Sequence, residues 1–295
     1  MTIHDDDHNY LIRPDPTAAR LTRSLVGTDQ TGTTVETNVV EERPMTLFLN
    51  GQEVITMMTI GDYPELLARG FLLNQGMLGP DEAVLAIDVD EELETVVVRT
   101  SSPTNFEEKL AKKTRTSGCA VGTVFGDLME GLAYLELPDV KVRTSWLYAL
   151  ARQINVTPSL YLNAGAIHGT VLCRADQPLV YMEDVGRHNA VDKIAGWMAA
   201  ERCPADDTLL YTTGRLTSEM VIKTARMGIP VLVSRSGFTA WGVDLARELG
   251  LTLIGRMRGR RFICLSGADR LVHDADPAAI PDEETRHARK SGGHR

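Results

Sequence analysis

Four of the six positions in Arg256, Met257, Arg258, Gly259, Arg260 and Arg261 are arginine. Guanidinium groups make bidentate, charge-assisted bonds to phosphate, and a glycine among them lets a ligand approach the backbone. The run is therefore predicted to hold an anion; the plain alternative is a solvated hairpin tip whose arginines meet surface carboxylates. A second cluster, Glu183-Asp184-Val185-Gly186-Arg187-His188-Asn189, follows an apolar strand and precedes a helix. Gly186 permits a sharp turn, Asn189 is a candidate cap, and the amides of the helix start form a potential anion site. The structural alternative is that Glu183 or Asp184 simply pairs with Arg187. Thr213-Gly214-Arg215 and Ser234-Arg235-Ser236-Gly237 repeat the strand-turn-helix placement. If their strands are parallel, all three turns line one sheet edge, which favours a phosphorylated ligand.

Cys119 is the candidate nucleophile. It lies between Gly118 and Gly122, downstream of Lys112, Lys113 and Arg115 and ahead of an amphipathic stretch, a setting that favours the thiolate. Cys173 and Cys264 sit in apolar, strand-like runs and are expected in the core, and Cys203 is expected near the surface. His168 and His188 are candidates for acid–base chemistry or for plain hydrogen bonding. Trp146, Trp197 and Trp241 are expected in the core.

These residues need a scaffold. Asn50-Gly51 between two apolar segments predicts a β-hairpin. Asp62 and Pro64 predict the start of a helix that ends at Gly76 and Gly79. Strands are expected at 83–89 and 94–100, a polar helix near 106–113 and another helix from Thr144 or Ser145 to Ile154. From about Leu160 short β-branched runs alternate with helices, which predicts an α/β layered domain with a mainly parallel sheet completed by an antiparallel edge hairpin. The expected organisation is a mobile tail over 1–40, an α+β subdomain with the Cys119 loop over 41–140, an α/β domain over 141–275 and a mobile tail over 276–295.

Composition narrows the function. The 295 residues carry 31 basic and 40 acidic side chains, a net charge of −9 that disfavours non-specific nucleic-acid binding and makes the arginine run stand out. No two of the four cysteines lie within zinc-ligand spacing, so no structural metal is expected. G-x-G-x-x-G and Walker sequences are absent. Three consecutive aspartates near Met1 and the lack of a long apolar run predict a cytoplasmic protein without membrane contact.

The chain resembles the FdhD/NarQ family, the formate dehydrogenase accessory sulfurtransferases, from about Glu41 to Leu271. The most specific parts are Glu183 through Lys193, the helix start Ser218-Glu219-Met220-Val221, Leu253-Ile254-Gly255 entering the arginine run, and Gly70 through Gly76. The resemblance implies a cytidine deaminase-like α/β fold for the C-terminal half, although the zinc deaminase signature is absent and deamination is not implied. It implies a sulfur carrier that takes sulfur from a cysteine desulfurase as a persulfide and passes it to the bis-molybdopterin guanine dinucleotide form of the molybdenum cofactor, before insertion into the formate dehydrogenase apoenzyme. Cys119 matches the persulfide cysteine. Arg256 to Arg261 match the cofactor-binding segment, where GDP-like ligands are also expected, and a homodimer is expected. Many members carry C-x-x-C at the loop; here Gly122 stands in place of the second cysteine. A cofactor-binding chaperone that carries no sulfur is the alternative.

Overall fold

The computed structural model describes residues 10–79, 82–101, 132 and 135–278. Strands β1 (Thr22–Thr28) and β2 (Thr34–Val40) form an antiparallel pair. Strands β3 (Arg43–Leu49) and β4 (Gln52–Thr59) form the expected hairpin. Asn50 at φ 49° and Gly51 at φ 83° make its two-residue turn, the left-handed pair that Asn-Gly supplies at low cost. Helix α1 (Pro64–Asn74) follows, then β5 (Val84–Asp90) and β6 (Thr95–Thr100). The four strands form one sheet in the order β4-β3-β6-β5, with β3 and β6 parallel. Leu67, Phe71 and Leu72 of α1 pack on Leu47, Leu49, Val96 and Val98 of that sheet.

The second half contains β7 (Val142–Arg143), α2 (Thr144–Val156), α3 (Leu160–Ala164), β8 (His168–Arg174), β9 (Gln177–Asp184) and α4 (Arg187–Glu201). It continues with β10 (Thr208–Thr212), α5 (Ser218–Arg226), β11 (Val231–Ser234), α6 (Ala240–Glu248), β12 (Thr252–Arg258), β13 (Arg261–Ser266) and β14 (Leu271–Val272). Six of these strands form a sheet in the order β13-β12-β11-β10-β8-β9. Alternation along the strands separates two cores. Leu210, Leu232 and Leu253 face α4, α5 and α6, whereas Leu209, Tyr211, Val231 and Val233 face Leu147, Leu150 and Ile154 of α2. The result is a three-layer α/β arrangement. The mainly parallel expectation is corrected: only β10, β11 and β12 pair in parallel, and the pairings of β8, β9 and β13 are antiparallel.

The two sheets meet through helices α1 and α4, which touch backbone to backbone. A Cβ on Gly70 would lie 1.7 Å from the Asp192 carbonyl oxygen, and one on Gly196 would lie 1.9 Å from that of Leu66. Close approach, not backbone conformation, requires glycine at both positions. Beside this crossing, Asn74 Nδ2 donates to Asp192 at 2.7 Å, and Lys223 Nζ donates to the same carboxylate at 2.6 and 2.8 Å.

Residues 10–40, expected as a tail, are not irregular. The Leu11 amide donates to Leu179 and the Tyr181 amide to Ile12, adding a short segment to the outer edge of β9, and β1 and β2 follow. Their polar, non-alternating sequence hides them because the β1–β2 pair is exposed over most of its length and buries no apolar face. The start of α1 also differs from expectation. Tyr63 at φ 47° occupies the cap position without a side-chain bond, and Asp62 turns instead to Lys193. At α2 the cap comes from far along the chain: Asp274 accepts from the Ser145 amide at 3.0 Å and from the Ser145 hydroxyl at 2.8 Å. The polar helix expected near 106–113, the Cys119 loop and the amphipathic stretch after it lie outside the described residues, apart from Leu132, which is buried in the core beneath α4 and α5.

Candidate functional site

Strand direction brings the predicted turns together. β9 is antiparallel to β8 and β8 to β10, so β9 points the same way as the parallel trio β10, β11 and β12. The turns after Asp184, Thr212 and Ser234 therefore lie along one edge, with His168 at the start of β8 between the first two. In sheets of this kind that edge is where loops gather around ligands. Here the loops are stitched sideways. The Thr213 amide donates to Gly169 at 2.9 Å, the Ser234 hydroxyl to Gly214 at 2.6 Å, the Arg235 amide to Thr212 at 3.2 Å and the Arg256 amide to Ser236 at 2.7 Å.

The arginine run forms the β12–β13 hairpin, where Arg258 pairs with Arg261 across a tip made by Gly259 and Arg260. A register shift between Gly255 and Arg258 accommodates Arg256 at φ 54°. This irregularity splits the run by environment. Arg256, Arg258 and Arg261 are exposed, whereas Met257 is 1% exposed and belongs to the core beneath α2. Met257 therefore offers a ligand only its backbone. Arg260 is already engaged: its guanidinium lies 5.1 Å from the centre of the Tyr148 ring and donates to the Asp276 carbonyl at 2.5 Å.

The two acids of the turn after β9 reach partners in other elements. Glu183 accepts from the amides of Leu160 and Tyr161 at 2.8 and 3.1 Å, at the start of α3. Asp184 accepts from Thr59 Oγ1 at 2.6 Å, from the Gly186 amide at 3.1 Å and from Asn189 Nδ2 at 3.0 Å, and pairs with Lys193 at 2.6 Å. Asn189 does not cap α4; its amide also donates to Met58 at 2.8 Å, tying the turn to β4. The anion at this turn is thus the chain's own Asp184.

Burial pushes the Glu183 carboxyl up to about 7 from an ordinary 4.5, against the two amide bonds that favour its charged form. Between those values the folded chain keeps a proton that the unfolded chain has released, so stability should fall as pH rises through this window and level off above it. Glu183→Gln should flatten the decline in melting temperature between about pH 5 and 7. Equal slopes in the two proteins would refute this role for the carboxyl.

Next to this turn a cleft of about 580 Å³ opens between β4, α1 and the starts of α4 and α5. His188 and Glu219, each the second residue of its helix and each 8% exposed, lie side by side in its lining. His188 Nε2 lies 3.1 Å from Glu219 Oε2, at ion-pair distance. Burial holds the imidazole below the ordinary histidine range, and the histidine contact holds Glu219 below the ordinary carboxyl range, so the pair is a neutral ring beside a carboxylate. His168, half-buried with Nδ1 3.3 Å from Thr213 Oγ1, and Arg215 line the same cleft. Lys223 joins them on its Asp192 bridge.

Sequence reasoning named His188 and His168 but missed Glu219 and Lys223 as cleft residues. Their four-residue spacing on a helix following the Thr213-Gly214-Arg215 turn was the available signal. Of the cysteines, Cys173 is fully buried as expected, while Cys264 and Cys203 are half-buried. Trp197 is in the core, but Trp241, expected there, is 52% exposed in the first turn of α6. Among the described residues no group of three His, Cys, Asp or Glu side chains is arranged to hold a metal, and no helix is long and apolar enough to cross a membrane.

Residues 40–272 match the sequence profile of the FdhD/NarQ family. Proteins named sulfur carrier protein FdhD from Bacillus pumilus and Wolinella succinogenes are 28% and 30% identical over 226 and 227 residues, covering 76% of this chain in each case and 86% and 79% of the relative. The crystal structure of a candidate formate dehydrogenase accessory protein from Desulfotalea psychrophila superposes with a TM-score of 0.69 at 27% identity. That match covers 85% of this chain and 99% of the other.

Proposed function

The chain belongs to the FdhD/NarQ family, and from that premise we propose that it is a sulfur carrier serving formate dehydrogenase maturation. The observation that carries the proposal is the extent of the match, which runs through both sheets and includes Cys119 and the arginine hairpin. In this reading Cys119 attacks as the thiolate on the outer sulfur of a desulfurase persulfide. The new S–S bond forms on Cys119, the donor's S–S bond breaks, and the donor leaves as its thiolate. The cargo is the bis-molybdopterin guanine dinucleotide cofactor, received as substrate and delivered to the formate dehydrogenase apoenzyme. Its phosphates are assigned to the arginine hairpin, where exposed guanidiniums project from a strand end. A cytoplasmic homodimer belongs to the same reading.

A second reading, a cofactor chaperone that carries no sulfur, is favoured by one observation: Gly122 stands where the second cysteine of a C-x-x-C would be. Incubation with a cysteine desulfurase and cysteine separates the two. The sulfur-carrier reading requires one added sulfur mass on the peptide containing Cys119, and the chaperone reading requires none. The hairpin assignment has its own test by calorimetry with GDP. Arg258→Ala should weaken binding by about tenfold or more, the value of one lost charge-assisted bond. Arg260→Ala should have a smaller effect, because that guanidinium is already held by Tyr148 and Asp276. Unchanged affinity in Arg258→Ala would remove the hairpin from the phosphate site.

A further inference from the structure

Of the four hairpin arginines, Arg256, Arg258 and Arg261 are exposed and Arg260 is half-buried. The difference lies in what Arg260 meets. Its guanidinium covers the Tyr148 ring of α2, 5.1 Å from the ring centre, and donates to the Asp276 carbonyl at 2.5 Å. A ring face and a carbonyl oxygen satisfy the same charge and the same N–H donors that a phosphate would use. Arg260 is thus occupied by the chain itself.

The segment that supplies this carbonyl, residues 273–278, begins where the family match ends, at residue 272. It has no regular structure, and all of it except the half-buried Ala275 is exposed, so apolar burial does little to hold it in place. Polar contacts hold it instead. Asp274 accepts from the Ser145 amide and hydroxyl at 3.0 and 2.8 Å, from Thr144 Oγ1 at 3.2 Å and from Arg143 at 3.3 Å. The Ala275 amide donates to Thr144 Oγ1 at 3.3 Å. The Ser145 amide above all, and then the Ser145, Arg143 and Thr144 side chains, hold the Asp274 carboxyl down to about 2 from an ordinary 3.8, so this anchor keeps its charge at physiological pH. An anchor at Asp274 and a catch at Arg260, two residues further on, therefore fasten an exposed strap between the start of α2 and the hairpin tip. Segments fastened in this way open at a small fraction of the global unfolding cost.

We propose that residues 273–278 are a latch on the anion site of the hairpin. Closed, the latch keeps Arg260 on Tyr148; open, it releases a fourth guanidinium to join the exposed three. This rests on the assignment of the hairpin to phosphate in the sulfur-carrier reading and adds regulation to it: polyphosphate and strap compete for Arg260, so drawing the strap away raises polyphosphate affinity. Linkage makes the effect reciprocal, and a bound polyphosphate loosens the strap.

The full chain would be titrated with GDP by calorimetry, with amide exchange of residues 273–278 followed by mass spectrometry in the presence and absence of GDP. Asp274→Ala should speed exchange of the segment and tighten GDP binding by about threefold or more, and Tyr148→Leu, which frees the guanidinium on its other side, should shift affinity in the same direction. Adding Arg260→Ala to Asp274→Ala should remove the gain, which separates a released arginine from a general change in the hairpin. In the wild type GDP should speed exchange of the segment, and in Arg260→Ala it should not. A thermal melt of each variant checks folding. Unchanged affinity in Asp274→Ala, a gain that survives Arg260→Ala, or segment exchange that GDP leaves alone or slows overturns the inference. If GDP binds neither the wild type nor Asp274→Ala, the latch falls together with the hairpin assignment, whereas one added sulfur on the Cys119 peptide would still leave the sulfur-carrier reading standing.

Discussion

Replacing Cys119 by alanine is expected to abolish sulfur loading while leaving GDP binding intact. A sulfur carrier needs an accessible thiolate, and the other three cysteines are poor substitutes. Cys173 is fully buried in the core beneath α2, and burial pushes its thiol well above the ordinary range. Cys264 is half-buried on β13, its thiol is raised by burial, and its Sγ is directed to the Ser266 carbonyl at 3.1 Å. Cys203 follows α4 with its Sγ 3.6 Å from the Pro204 carbonyl, beyond the opposite end of that helix from the cleft. In whole-protein mass spectrometry after incubation with a desulfurase and cysteine, the wild type should gain one sulfur and Cys119→Ala none. Formate dehydrogenase activity in cells carrying only the variant should be lost with it. A variant that still acquires sulfur, or still matures the enzyme, would sink the persulfide mechanism.

The sequence made the strand-turn-helix edge legible because each turn has its own local signature. Glycine and arginine follow a short apolar strand in Thr213-Gly214-Arg215 and in Ser234-Arg235-Ser236-Gly237, and strand direction alone then gathers the turns. The Asn50-Gly51 hairpin was readable for the same reason, since its signal lies within two residues. What the sequence concealed is what depends on distant partners. Asp62 looks like a helix cap but is drawn to Lys193, 131 positions away, because a buried ammonium attracts a carboxylate more strongly than amides at a helix start do. Asp274 caps α2 from 129 positions beyond Ser145. The cleft was hidden in the same way: Gln75, His188 and Glu219 come from three separate helix ends, and no window of sequence holds two of them. The inward position of Met257 was not readable because a β-bulge breaks the alternation that makes inward and outward positions legible.

Lys193→Met is expected to be strongly destabilising, and its pH dependence will identify the cause. Lys193 is fully buried, yet its ammonium donates to Asp62 and to the Glu183 carbonyl at 2.9 Å and pairs with Asp184 at 2.6 Å. Burial alone would lower its pKa, but the two carboxylates outweigh that effect and hold it above the ordinary lysine range. Methionine fills similar volume but deprives the buried Asp184 and the half-buried Asp62 of the ammonium between them. Breaking such a pair costs about 3–5 kcal/mol, which for a chain of this size is on the order of 10 °C in melting temperature. Asp184 keeps Thr59, Gly186 and Asn189 as donors, whereas Asp62 loses the ammonium that opposes its burial. Asp62 is thus the acid that takes up a proton in the variant. Its raised folded pKa means that the variant regains stability as pH falls and loses it as pH rises through that pKa. Asp62→Asn combined with Lys193→Met should recover part of the loss at neutral pH. If the destabilisation is instead independent of pH and unrelieved by Asp62→Asn, the cost arises from packing and the ionic account of this cluster fails.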